Sequence, residues 1–236
     1  MTSPRRLARI AGLCYLVVAI FGGFAHLYVR ARVYVAGDAG TTAANVAADA
    51  SLVRIGIVAD LVQATFFLFV VLALSRLLQQ GNKSMARAMV IFVAVAVGIT
   101  SLNMVHQLGA LLVATDPSYA GAFGAAGSDA LVLLLMDLQH YGYLIAQIFF
   151  GLWLFPLGLL VYRSGMFPRP LGVLLMVGTI CFLLDVLLQF LAPDFAAASS
   201  ALILVPATIG EVWMLAYLLI RGVKTPLPAG PAFAAD

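Results

Sequence analysis

The sequence predicts an all-α bundle of six membrane-crossing helices. Three observations carry this. The chain is 64% hydrophobic and only 10% charged, with a mean hydropathy of +1.08. A soluble domain has about 45–50% apolar and about 25% charged residues. The apolar residues fall into six long runs separated by short polar breaks, and the basic residues collect at alternate breaks. A core of 236 residues cannot hide this much apolar surface from water, so a bilayer is the natural solvent. The runs are continuous rather than alternating over about ten residues, which excludes a β-barrel.

Arg5, Arg6 and Arg9 precede the first run, about 10–29. A cleaved signal has an apolar stretch of about 7–15 residues and a small-residue cleavage site. This run is longer, so it reads as an uncleaved first span. Gly37-Asp38-Ala39-Gly40 is a turn, and Thr41 or Thr42 would cap a short helix through Ala50. Ser51 would cap span two, about 53–78. Gln79 to Ser84 form a tight loop before span three, about 85–114. Thr115-Asp116-Pro117-Ser118 stops that span, and Gly121, Gly124 and Gly127 loosen the loop after it.

Ser128 reads as the cap of a helix running on to Tyr162. At 1.5 Å per residue this is about 50 Å, too long for an apolar core of about 30 Å. Its first part, 129–138, is therefore expected outside the membrane or along its interface. Span four is about 139–162, kinked near Pro156. Arg163 to Pro170 make a turn, span five is about 171–191, and Ala192-Pro193-Asp194 ends it. Span six is about 200–220, with Pro206 near its start. These six spans form one domain, 1–224, with short extracytoplasmic helices before spans two and four. The Pro-rich tail, 225–236, reads as disordered.

The charges orient the bundle. With the N-terminus inside, the cytoplasmic breaks hold Arg5, Arg6, Arg9, Arg76, Lys83, Arg87, Arg163, Arg169, Arg221 and Lys224. Only Arg30, Arg32 and Arg54 lie outside, which accounts for all 13 Lys and Arg. Ten against three in short loops predicts both ends in the cytoplasm. The net charge of +3 comes from these clusters, not from a basic stripe with interleaved aromatics, so no nucleic-acid partner is expected. Cys14 and Cys181 each sit in an apolar run without a CxxC or a Cys/His spacing, and read as small core residues.

Ionisable residues inside spans point to a site. They cost about 2.5–3.5 kcal/mol each on insertion scales and should face one another or a wet cavity. Given the orientation, Asp60, His106, Asp137, His140 and Asp185 fall in the outer half, and Glu211 near the middle of span six. Asn103, His106 and Gln107 are at i, i+3, i+4 and share a face, as do Asp137 and His140. An outward-opening polar pocket of Asp60, Asn103, His106, Gln107, Asp137, His140, Asp185 and Glu211 would satisfy them together. His106, His140 and Asp185 are candidate ligands should a metal be bound; no cofactor is otherwise expected. The bland alternative makes Asn103, Gln107, Gln147 and Gln189 interhelical glue, worth about 0.6–2 kcal/mol each. His26 reads as interfacial. Trp153, Tyr162 and Tyr217 read as packing or belt residues, with Gly151 and Gly158 offering one face for a close helix contact. No P-loop, dinucleotide fingerprint, HExxH or GxSxG is present, so the reading leans away from an enzyme.

Several stretches resemble a family of bacterial multi-pass membrane proteins described only as a domain of unknown function. They are Ala59-Asp60-Leu61, Asp137-Leu138-Gln139-His140-Tyr141-Gly142-Tyr143, Phe150 to Gly158, and Tyr162-Arg163-Ser164-Gly165 with Pro168-Arg169 and Leu171 to Leu175. The resemblance runs from Arg9 to about Arg221 and implies the fold and a bacterial inner-membrane location. Three functions remain open: a protein binding or transporting a small molecule, an intramembrane metal- or acid/base-dependent enzyme acting on a lipid-like substrate, and a structural or partner-binding membrane protein.

Overall fold

The computed structural model describes residues 3–224, all of whose regular structure is helical. The expected tail, 225–236, lies outside these residues. Six helical segments are long and apolar enough to cross a membrane: Pro4–Val33, Ala50–Leu78, Lys83–Thr115, Ala125–Ser164, Arg169–Leu191 and Pro193–Ile220. They are spans one to six.

Span one begins with α1, Pro4–Gly23, where the Ser3 hydroxyl accepts from the Arg6 amide at 3.3 Å and Pro4 fills the first turn. It then widens into a π-helical segment, Phe24–Arg30, and closes with one turn, α2, Ala31–Val33. The Gly22–Gly23 pair just before the change resists rewinding least. A short α3, Ala39–Ala48, precedes span two, α4, Ala50–Leu78. The cap of α3 is Asp38, not the expected Thr41 or Thr42. Its carboxylate accepts from the Thr41 amide at 2.9 Å and the Thr41 hydroxyl at 2.7 Å. These bonds hold the Asp38 carboxyl below its ordinary range. Span two starts at Ala50, so Ser51 lies inside it rather than capping it.

Span three is α5, Lys83–Thr115, capped by Asn82, which accepts from the amides of Ser84 and Met85. The Gly-rich stretch after it holds a helix, α6, Pro117–Phe123. Asp116 accepts from the Ser118 amide at 2.9 Å and Pro117 takes the first position, so the residues that stop one helix start another. Gly124, at φ +72°, ends α6 and turns the chain into α7, Ala125–Leu152. Ser128 is therefore buried within α7 and not a cap, and no break occurs at Leu138. The interruption falls at Trp153, before α8, Leu154–Ser164. Pro156 explains it. Its ring has no N–H to give the Leu152 carbonyl and crowds that carbonyl. Span five is α9, Arg169–Leu191. Pro193 opens α10, Pro193–Ile203, which breaks at Leu204 before α11, Val205–Ile220; Pro206 acts there as Pro156 does in span four.

The interior is layered. One apolar cluster gathers Val18, Phe67, Val93, Trp153, Leu171 and Met214; a second gathers Val33, Val53, Ala110, Val132 and Met136. Buried polar residues of spans two, three and four lie between them. Asp60 falls between Val53 and Phe67, Asn103 and Gln107 between Val93 and Ala110, and Gln139 and Gln147 between Met136 and Trp153. Glycines set the close crossings: Gly151 lies against Phe182, and Gly158 against the Gly172 carbonyl, so both press α7 and α8 onto α9 as their spacing suggested.

Candidate functional site

The polar layer separates into local pairs and one cavity. On α5 and α7, the Asn103 amide donates to the Gln139 carbonyl at 2.7 Å and its oxygen lies 3.0 Å from His106 Nδ1. Gly142 makes room, because a Cβ there would run into the Asn103 side chain. Gln107 is buried one turn along. On α7 and α9, Gln147 donates to Asp185 at 2.7 Å. Between the end of span one and α7, the Tyr34 hydroxyl donates to Asp137 at 2.6 Å, and the Tyr34 ring stacks 6.3 Å from His140. Burial, and then the Asp137 carboxylate, push the Tyr34 phenol up to about 12.

Thus Asn103 with His106, Asp185 with Gln147, and Asp137 with Tyr34 and His140 occupy three separate helix contacts. Among the described residues, no three His, Cys, Asp or Glu side chains gather closely enough to hold a metal ion. His106, His140 and Asp185 have different neighbours.

The cavity lies elsewhere. It has a volume of about 330 Å³ and is bounded by α1 and the π segment, α4, α7, the Trp153 break, α9 and α11. Glu211 on α11 lines it, with one oxygen accepting from Tyr15 at 3.2 Å. Gln63 and His26 also line it. The Gln63 amide oxygen is buried without a hydrogen-bond partner among the described residues. His26 Nε2 stands 3.2 Å from Asp60, at ion-pair distance but not aligned as a hydrogen bond. Of the eight expected pocket residues, Glu211 is in the wall and Asp60 stands behind His26.

Three irregular backbones converge here. The π segment supplies His26, the interruption of span four supplies Trp153, and the first turn of α11 after Leu204 leads to Thr208 and Glu211. Altered winding of this kind recurs at functional sites. Two wall residues of the cavity also reach the outer surface of the bundle. Gly12 lets α1 approach Leu218 and Leu219 closely, but farther along, the wall residues Leu27 and Val212 are 80% and 57% exposed.

A family model described as a domain of unknown function (DUF4386) matches residues 10–222. The chain belongs to this family. It is also similar to an uncharacterised protein of Archaeoglobus fulgidus, 36% identical over 80 residues, which is 34% of this chain and 46% of that protein. The match spans about half the length of that relative. No solved structure matches the chain.

For this DUF4386 member, sequence reasoning passed over most of the cavity wall. Of the two readings given to Trp153, packing holds and belt does not: it is 0% exposed in the larger apolar cluster, with its indole N–H unpartnered among the described residues. His26 is not merely interfacial; it packs 4.4 Å from the Tyr143 ring. The usable signals were the Gly22–Gly23 pair before His26 and the placement of Pro156 three residues after Trp153.

Proposed function

We propose that this integral membrane protein binds a small amphipathic molecule that enters its cavity sideways from the bilayer, as a binding protein or carrier. The observation that carries this is the cavity of about 330 Å³, whose wall includes the exposed Leu27 of span one and Val212 of span six. Ligand sites are concave, mostly apolar and supplied with a few convergent polar groups, and about 300–1,000 Å³ in size. Here aromatic walls surround Glu211, Gln63 and His26. The interrupted spans four and six favour a carrier, since transporters build their sites where helices are discontinuous. The proposed location is the cytoplasmic membrane of a bacterium with both chain ends inside, supported by the ten-to-three distribution of basic residues.

Asn103, Asp185 and Gln147 favour a second role beside this one. Asn103 donates to the Gln139 carbonyl and Gln147 to one oxygen of Asp185, so they act as glue between neighbouring helices that fixes the bundle around the cavity, although the other Asp185 oxygen is buried without a partner among the described residues.

Quenching by brominated lipid chains tests the sideways opening. A Trp213→Phe variant leaves Trp153 as the one remaining tryptophan. Reconstituted in bilayers with brominated chains, its emission should fall although Trp153 is fully buried from the outer surface. Adding Ala19→Phe, which fills the cavity, should restore it. Emission indifferent to bromination would sink the proposal.

A further inference from the structure

We infer that the cavity is selective for a lipophilic organic cation, an amine or quaternary ammonium carrying an apolar group. This rests on the proposed binding role and names its ligand class. The wall is a run of touching rings. Tyr15 meets Trp153 at 6.3 Å, Trp153 meets Phe67 at 5.0 Å, Phe67 meets Phe150 at 5.6 Å, and Phe150 meets Tyr143 at 6.0 Å. Ring faces attract a cation within about 6 Å of their centroids, most strongly where water is excluded.

The charged groups point the same way. Glu211 is the one carboxylate in the wall, and Tyr15 is its one hydrogen-bond donor among the described residues. The Gln63 oxygen adds a buried acceptor without a donor. No Lys or Arg among the described residues lines the cavity, and the one basic side chain there, His26, is already beside Asp60. An anion would meet Glu211 with no compensating charge. A neutral ligand without a donor would strip water from the carboxylate and return nothing, and one with a donor would leave its charge uncompensated. A cation answers both the carboxylate and the ring faces. The proposed sideways entry adds the requirement for an apolar portion that partitions into the bilayer.

The test compares phenyltrimethylammonium with its neutral carbon isostere, tert-butylbenzene, and with benzenesulfonate. Each is titrated against Trp153 emission in the Trp213→Phe protein, held in phosphatidylglycerol bilayers. The expected result is a saturable change with the cation at a Kd at least tenfold below that of the isostere, and none with the sulfonate. Glu211→Gln should remove that tenfold preference of the cation over the isostere. Repeating the titration in phosphatidylcholine separates two sources of the same chemistry. Competition by that lipid means a choline headgroup takes the site, and unchanged affinity means a free cation does; either outcome supports the inference. Equal binding of cation and isostere, or tighter binding of the sulfonate, overturns the cation class and leaves the cavity reading standing. No saturable change with any probe overturns the inference, and the brominated-lipid result then shows whether the cavity reading falls with it.

Discussion

At the scale of single residues, the polar side chains divide by whether a neighbour satisfies them. Tyr34 and Asp137 are such a pair, joined at 2.6 Å at the edge of the bundle. Tyr34→Phe removes one hydrogen bond to a carboxylate and should cost about 1 kcal/mol, the lower range for such bonds because the pair is part-exposed. The pH dependence comes from the direction of the shift. The folded phenol titrates at about 12 instead of 10.0, so folding favours its protonated form. That stabilisation is full below pH 10 and is lost as pH rises through about 12. Thermal melts of wild type and variant in detergent should differ by a constant amount from pH 6 to 9, and above pH 10 the difference should shrink and then reverse. A difference that instead grows with pH would show that Tyr34 stabilises the fold by another route. The spacing of Asn103, His106 and Gln107 was legible because one face of a helix is a property of one helix. Their partners were not: Asn103 binds a backbone carbonyl, that of Gln139, which no side-chain pattern announces.

At the scale of elements, helices were legible wherever the backbone obeys a local rule. Pro156 and Pro206 mark the interruptions of spans four and six because a missing N–H acts within one turn. The π segment, Phe24–Arg30, was not legible, since nothing in its residue types separates π from α winding and its winding answers to packing. The helix α6 was missed because three glycines outweighed the Asp116–Pro117 start signal. Helix crossings are more predictable. A Cβ at Gly158 would lie 2.6 Å from the Gly172 carbonyl oxygen and 2.9 Å from the Met176 amide nitrogen. Both are backbone atoms, so α8 and α9 would have to part. Gly158→Ala should therefore destabilise by about 1–3 kcal/mol. Gly98 on α5 has nothing within 4 Å of its missing Cβ, so Gly98→Ala should be neutral or stabilise by up to about 1 kcal/mol. Unfolding of the two variants in the same detergent compares them directly. Equal effects would mean that helix propensity, not the close crossing, governs both positions.

At the scale of the whole molecule, six apolar spans and alternating basic breaks were legible because hydration and membrane potential act on composition before any contact forms. The cavity was not, because it exists only where spans one, two, four, five and six meet. Which membrane face it lies nearer depends on orientation, and the basic residues make a definite prediction. With both ends in the cytoplasm, the α6 turn lies outside and the Gln79–Ser84 loop inside. Ser118 and Lys83 are exposed in these two places. In a background with Cys14 and Cys181 replaced by Ala, Ser118→Cys should react with a membrane-impermeant maleimide in intact spheroplasts. Lys83→Cys should react only after permeabilisation. On that outcome, His26 stands outward of Tyr15 along span one, and the Tyr34–Asp137 contact sits at the outer surface beyond it. The reverse labelling would invert the bundle and turn that end of the cavity toward the cytoplasm. The proposed sideways entry would be unchanged, because it depends on the exposed Leu27 of span one and Val212 of span six and not on which side they face.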